Sequence, residues 1–361
     1  MNKSVFITGG AGFIGSRLVE KLQRENYGRF FVYDNLHPQV HGPDAVFPKF
    51  GSDVTCIKGQ IEDAAALEQA LQDCDPDIVI HFVSETGTGQ SLDELDRYVA
   101  ANVTGTSNLL TAIGNLPKRQ RDFLLSSSRS IYGEGPYADA QGQRSRPQAR
   151  NADRMKSGDF RVFDRAGNPL TALPAVPDTR AIPSSVYAST KLMQENLLLN
   201  CAEAKNLRPK ILRFQNVYGP GQSLRNPYTG VLSIFGAQIM AGKTLNIFED
   251  GEMVRDFVFV TDVVDACAAA IATDHAIDAP LNIGSGEATT ILEAAKILLK
   301  ELGGAPDNYK ITGDFRLGDI RHASTDIEPT KQAIDWMPKV TLEQGLHQLA
   351  EWTKAELTVS V

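Results

Sequence analysis

Apolar residues run unbroken through SVFIT, residues 4–8, stop at a pair of glycines, and recur at helical spacing as Phe13, Ile14, Leu18 and Leu22. A continuous apolar run marks a strand buried on both faces, and recurrence every three to four residues marks an amphipathic helix. The chain therefore opens as strand, glycine turn, helix. Strand-like runs follow at RFFVYD, VTCIKG, DIVIHFV and DFLLSSS, residues 29–34, 54–59, 77–83 and 122–128, with helical patterns such as AALEQALQD and NVTGTSNLLTAIGNL between several of them. Strands and helices alternating in this way predict an α/β fold with a doubly wound parallel sheet covered on both faces.

About 50 residues, roughly 134–183, break the rhythm. They are rich in Gly, Pro, Arg and Asp and carry no long periodic segment. Within them DFRVFDRAGNPLTAL, residues 159–173, reads as two short strand-like runs joined by a Gly-Asn-Pro turn. A helical stretch, SSVYASTKLMQENLLLNCAEAKN, and a strand, KILRF, then resume the alternation. From about residue 216 the pattern is less regular, with helices expected near 231–241, 262–273 and 289–302. The division this predicts is a sheet domain over 1–215, with the insert at about 134–183, and a smaller mixed α/β lobe over 216–361, some of whose segments return to the sheet. Doubly wound sheets bind ligands at the carboxyl ends of their strands, where such a lobe would lie.

Charge narrows the ligand class. With 36 Lys+Arg against 44 Asp+Glu the formal charge is −8, which argues against nucleic acid as a partner but leaves room for a local cationic pocket. Cys56, Cys74, Cys201 and Cys267 are far apart and form no CxxC pair, so neither a disulfide framework nor a metal site is expected. MNKSVFITGG lacks a leader-like apolar core, and no stretch approaches the roughly 18 apolar residues that a membrane span needs. A soluble cytoplasmic protein is expected.

The glycine turn carries the first chemistry. In TGGAGFIG, Gly9 permits a tight turn, Gly12 lets the backbone approach a pyrophosphate at a helix N-terminus, and Gly15 permits close packing of helix on sheet. Asp34 ends the second strand, where a carboxylate accepts hydrogen bonds from ribose hydroxyls and repels a 2′-phosphate; this Rossmann-like arrangement favours NAD over NADP. Downstream, YASTK sets Tyr187 and Lys191 four residues apart on one helical face. A phenol has a pKa near 10, so it serves as a base near neutrality only beside a cation that stabilises phenolate, and Lys191 can be that cation. Ser128, at the carboxyl end of the fifth strand, could donate to the same substrate oxygen.

TGGAGFIG, NVTGTSNLL, SSSRSIYG, YASTK, LRFQNVYGPGQ, FEDGEMVRDFVFVTDV, NIGSG and RLGDIRH occur in the order seen in extended short-chain dehydrogenases acting on nucleotide sugars, and span residues 8–322. The chain resembles the NAD-dependent epimerases of that family. The resemblance implies a Rossmann domain holding NAD, a C-terminal lobe holding a nucleoside-diphosphate sugar, and Ser128, Tyr187 and Lys191 as the catalytic set. It further implies NAD contacts from Gly9, Gly12, Phe13, Ile14, Gly15, Asp34, Asn35, Gln60, Ile61, Phe82, Val83, Ser84, Asn102, Ser126 and Gln215, besides Tyr187 and Lys191. Thr86, Thr88, Ser128, Arg129, Asn216, Val231, Arg255, Arg316 and Asp319 are the implied substrate contacts, with Asn216, Arg255 and Arg316 on the diphosphate.

The two residues after Ser128 sort the reactions. Dehydratases and decarboxylases of this family carry a carboxylate there, because removing water or CO₂ needs an acid or base near C5 or C6. This chain has Arg129 and Ser130, which leaves hydride chemistry at C4, as epimerisation or as reduction of a 4-keto sugar. The segment RMKSGDFRVFDRAGNPLTALPAVPD, with TGTGQS after the fourth strand, is most similar to the dTDP-L-rhamnose 4-epimerase group, which makes dTDP-6-deoxy-L-talose. UDP-hexose and UDP-N-acetylhexosamine 4-epimerases would share every motif. A non-catalytic NAD-binding sensor is the alternative of another class, and the intact Ser128, Tyr187 and Lys191 argue against it. The helices NVTGTSNLLTAIGNL and SSVYASTKLMQENLLLNCAEA have wide apolar faces and are similar to those through which relatives pair, so a homodimer is expected. The insert returns both its ends to one active-site rim, so it is expected to fold as a flap beside the sugar pocket.

Overall fold

The computed structural model describes residues 3–224, 226, 230–277 and 279–359. Seven parallel strands form the central sheet: β1 (Lys3–Thr8), β2 (Gly28–Asp34), β3 (Val54–Lys58), β4 (Ile78–His81), β5 (Arg121–Ser128), β6 (Leu207–Phe214) and β7 (Leu281–Ile283). Their spatial order is β7-β6-β5-β4-β1-β2-β3, which reverses direction between β1 and β4 and opens a crevice at their carboxyl ends. Side chains alternate between faces as the pleat requires. Val5 and Ile7 pack with Leu18 and Leu22 of α1 (Gly15–Arg24), whereas Phe6 packs with Leu67 and Leu71 of α2 (Ala64–Cys74) and Leu109 of α3 (Gly105–Gly114). The doubly wound sheet expected from the alternation is what the chain forms. Within the run predicted as one helix over 102–116, the chain completes a wide π turn, Val99–Thr104, before regular α geometry begins at Gly105.

The long helix α4 (Val186–Ala202) crosses the sheet beside β5 and β6. Ser185 caps it by accepting from the Ala188 backbone N–H at 3.1 Å. Polar anchors hold its inner face. The Glu195 carboxylate takes two bonds from the Arg213 guanidinium, at 2.9 and 2.7 Å, and one from the Ser127 hydroxyl, all buried. Arg213 also donates to Tyr132 Oη and the Pro177 carbonyl, each at 2.8 Å. Gln194 donates to Thr106 Oγ1 at 2.7 Å, beside His81, whose buried ring is pushed down to about 3 by desolvation and then by the Lys191 charge, and so is neutral.

Residues after β6 build a second core from three helices, α5 (Val231–Met240), α6 (Ile291–Glu301) and α7 (Leu342–Val359), around Tyr218, Phe257 and Phe259. The helix Val260–Ala272 instead packs under the sheet, and β7 joins its edge. Leu342, Leu346, Leu349 and Ala350 of α7 recur at helical spacing, a signal that the sequence carries but that yielded no predicted element.

The insert departs from the expected flap. Its hairpin forms, with Leu170 N–H donating to the Val162 carbonyl at 2.9 Å and Asp164 N–H to the Asn168 carbonyl at 3.0 Å. The remainder is fastened to the C-terminal lobe. Arg150 donates to Glu249 at 2.7 Å, Glu249 also meets Arg321 at 3.0 Å, Ala175 N–H donates to the Ser324 carbonyl at 3.0 Å, and Phe160 meets Phe315 edge-on. Glu249 and Arg150 are buried, so the joint is a dry ion network rather than a hinge.

Replacing Arg213 by Met leaves Glu195 buried without its cation. We expect Arg213→Met to lose about 3–5 kcal/mol of unfolding free energy in urea titration. A loss under about 1 kcal/mol would show that the pair does not anchor α4.

Candidate active site

The turn after β1 is shaped for a ligand. Gly9 lies at φ +72°, and a Cβ there would come within 2.8 Å of the Val83 backbone nitrogen. A Cβ on Gly15 would come within 2.5 Å of the Gly9 carbonyl oxygen, so helix and turn could not pack. Gly12 differs: its added Cβ would meet only the Gly9 oxygen, at 3.3 Å, and otherwise points into open space on the cavity side. That leaves a bare backbone cradle in the first turns of α1, where N–H groups and the helix dipole favour an anion. Asp34, buried at the end of β2, accepts from Ala11 N–H at 3.1 Å and Leu36 N–H at 2.9 Å, one on each carboxylate oxygen. Each oxygen retains a lone pair. Cradle and carboxylate together fit a dinucleotide's pyrophosphate and adenosine ribose.

From this turn a cavity of about 420 Å³ runs along the carboxyl ends of the strands to the C-terminal lobe. Ser128, Tyr187 and Lys191 line it together. Ser128 ends β5 with extended backbone, and its Oγ accepts from Ser130 N–H at 3.1 Å while lying beside the Tyr187 phenol. Burial pushes the Tyr187 phenol up, opposed by the Ser128 hydrogen bond and by the charge of Arg129. Burial pushes Lys191 down to about 7, opposed by Glu195 one turn along α4. Among the described residues no Asp, Glu or His lines this cavity. Several polar atoms on or beside its wall are buried without a partner: Arg129 Nη1, Ser130 Oγ, Gln215 Oε1 and Nε2, and Asn216 Oδ1. Such orphans are costly in a finished core and ordinary in a site built to meet a polar ligand.

The remaining expected residues divide by position. Phe13, Ile14, Phe82, Ser84, Thr86, Thr88, Ser126, Arg129, Gln215, Asn216 and Val231 line the cavity with the glycines. Asn102 lies behind the wall, accepting from Glu85 N–H at 2.7 Å and donating to Thr190 at 2.9 Å, so it positions the loop after β4. Val83, Ile61 and Gln60 are also behind or beside the wall; Gln60 accepts from Asn35 at 2.9 Å and Ile61 packs under α3. Three residues expected on the substrate are not on this surface. Arg255 is buried and donates to the Val254 carbonyl at 2.7 Å, Arg316 is exposed and stacks on Phe248 at 5.1 Å, and the Asp319 carbonyl accepts from Arg150 at 2.6 Å. The structure adds Gln222, Ser223 and Asn226, whose loop carries the Gly-Pro-Gly signature of a turn after a strand. Nothing from 134–183 lines the cavity; Pro136, Leu173 and Ala175 instead border a small void behind Arg129. Among the described residues no cluster of three or more His, Cys, Asp or Glu could hold a metal, and no helix is long and apolar enough to cross a membrane.

The model of the NAD dependent epimerase/dehydratase family matches residues 5–152 and 168–284. A dTDP-L-rhamnose 4-epimerase of Burkholderia thailandensis is 40% identical over 98% of this chain and 96% of its own. The crystal structure of a UDP-glucose 4-epimerase from Thermotoga maritima with UDP-glucose superposes with a TM-score of 0.79 at 29% identity, covering 99% of this chain and 100% of that one. A Thermus thermophilus UDP-glucose 4-epimerase complexed with NAD gives a TM-score of 0.74 at 25% identity, covering 97% and 98%.

The glycines separate folding from binding. Gly12→Ala should leave the unfolding free energy within about 1 kcal/mol of wild type yet weaken NAD binding at least about tenfold by calorimetry, because its methyl fills the cradle. Undiminished NAD affinity would place the pyrophosphate elsewhere.

Proposed function

The chain belongs to the NAD dependent epimerase/dehydratase family, and from that premise we propose that it is a 4-epimerase of a nucleoside-diphosphate sugar, converting dTDP-L-rhamnose to dTDP-6-deoxy-L-talose. The observation that carries the reaction type is the wall of the cavity: Tyr187 lies with Ser128 and Lys191, with no carboxylate or imidazole among the described lining residues. Elimination and decarboxylation need such a group near C5 or C6; oxidation at C4 needs only one base on the C4 hydroxyl. The 40% identical Burkholderia relative supports the substrate.

Bound NAD supplies a hydride acceptor that returns the same hydride to the sugar. The chain's residues do the rest. Tyr187 as phenolate takes the C4 hydroxyl proton, and Ser128 donates to the same oxygen. Lys191 holds the phenolate and a ribose hydroxyl of the cofactor. Re-reduction on the opposite face requires the hexose to turn while its diphosphate stays fixed, and the unpartnered polar atoms of Gln215 and Asn216 suit the holding part. A second copy of this chain is the partner that fits the outer helices: Leu95 and Val99 before α3, and Met193 and Leu199 on α4, are exposed.

Incubation without added reductant, followed by NMR, should interconvert dTDP-L-rhamnose and its C4 epimer; conversion of UDP-galactose alone would overturn the substrate. Tyr187→Phe should keep fold and NAD while kcat falls by about 10²–10⁴, the usual worth of a general base. Unimpaired turnover in that variant would remove Tyr187 from the mechanism.

A further inference from the structure

We propose that Arg129 is a positioning residue for the reaction, its guanidinium supplying a second positive charge beside Lys191 that holds Tyr187 as phenolate. The inference rests on the reading of Tyr187 as the base. It starts from the sequence, in which a cation, Arg129, follows Ser128 directly.

The structure places that cation on the reacting wall. Arg129 begins the short 3₁₀ turn Arg129–Tyr132, whose N-cap is Ser128, so the hydroxyl beside Tyr187 and the guanidinium are carried by adjacent residues. Arg129, Ser128, Tyr187 and Lys191 line the same cavity. The buried guanidiniums of Arg213 and Arg150 are each paired with a carboxylate, Glu195 and Glu249 respectively, both at 2.7 Å, whereas that of Arg255 donates to the Val254 carbonyl. Arg129 has no carboxylate within 4 Å among the described residues, and its Nη1 is buried without a hydrogen bond. An unpaired, partly buried cation is costly, and the cost is recovered when an anion forms next to it. Of the two tyrosines among the described lining residues, Tyr218 is packed edge-on against Phe257 and Phe259 in the second core, and Tyr187 is the one beside Ser128.

The surrounding charges favour the same assignment. Arg129 is faced by Arg255, which with burial pushes it down to about 9, and by Tyr187, Asp319 and Glu134, which act against that. Tyr187 is faced by Ser128 and Arg129, and by the ring of Tyr98 edge-on at 6.5 Å, itself a neutral phenol pushed up by burial. Lys191 is faced by Glu195 and by neutral His81 and is already down at about 7. As the pH climbs past neutrality the lysine charge fades, whereas a guanidinium stays protonated.

The test titrates Tyr187 directly in NAD-loaded protein, by ultraviolet phenolate absorbance, with Tyr187→Phe as the subtraction that identifies its transition. Arg129→Met should move that transition upward by at least about one pH unit, and Arg129→Lys should restore it to within about 0.3. The rising limb of the kcat–pH profile on dTDP-L-rhamnose should move with it. An unmoved transition in Arg129→Met overturns the proposal, and a raised KM with unchanged titration would reassign Arg129 to the substrate diphosphate. Arg129→Gln, which keeps a polar group in the cavity, answers the same question if the Met variant does not fold. No sugar is present in the titration, so a wrong substrate would abolish turnover while leaving this result intact.

Discussion

The bond between Glu195 and Arg213 is the constraint on which the site depends. It crosses from α4 to β6, is buried, and is completed by Ser127 from β5 and Tyr132 from the turn beyond it. Tyr187 and Lys191 project from the same helix within its first two turns, and Ser128 and Arg129 follow Ser127 directly. One ion pair thus sets the distance between the two halves of the catalytic wall. Thr190 and Gln194, bonded to Asn102 and Thr106, fix the rotation of the helix as well. A helix held by packing alone can slide by fractions of an ångström; these directional bonds resist that, and near-attack geometry is sensitive on that scale.

Electrostatics complete the division of labour. The chain as a whole is acidic, with a formal charge of −8, yet its ligand cavity has Arg129 and Lys191 and, among the described residues, no carboxylate on its wall. The carboxylates near the site are behind it, either spent on guanidiniums, as Glu195 and Glu249 are, or on backbone N–H groups, as Asp34 is. Anionic cofactor and substrate therefore meet a positive lining. A phenolate formed at Tyr187 would find cations, not competitors, on this wall.

Local patterns made the sheet, the glycine turn and the Tyr187–Lys191 pair legible, because each rests on spacing along the chain: two for strands, four for one helix face, and a fixed interval from Gly9 to Gly15. What the pattern could not disclose is non-local. Glu195 reads as an ordinary helix-surface acid until β6 brings Arg213 to it. Arg255 and Arg316 share the composition of diphosphate ligands, and the contacts they make here, one with the Val254 carbonyl and the other with the Phe248 ring, have no signature in the local pattern. The insert was correctly read as containing a hairpin at 159–173 and incorrectly as a flap, since Arg150 and Glu249 are 99 residues apart and their bond has no local signature. The helix Leu342–Val359 was legible in principle from Leu342, Leu346 and Leu349.

The account stands or falls on whether the sugar loses and regains one and the same hydride at C4. dTDP-L-rhamnose carrying deuterium at C4, incubated in ordinary water with the enzyme and without added reductant, tests this most directly. The product C4 epimer should retain its deuterium. Loss of that deuterium to solvent would contradict transient oxidation at C4 and the role given to the cavity that Ser128, Arg129, Tyr187 and Lys191 share.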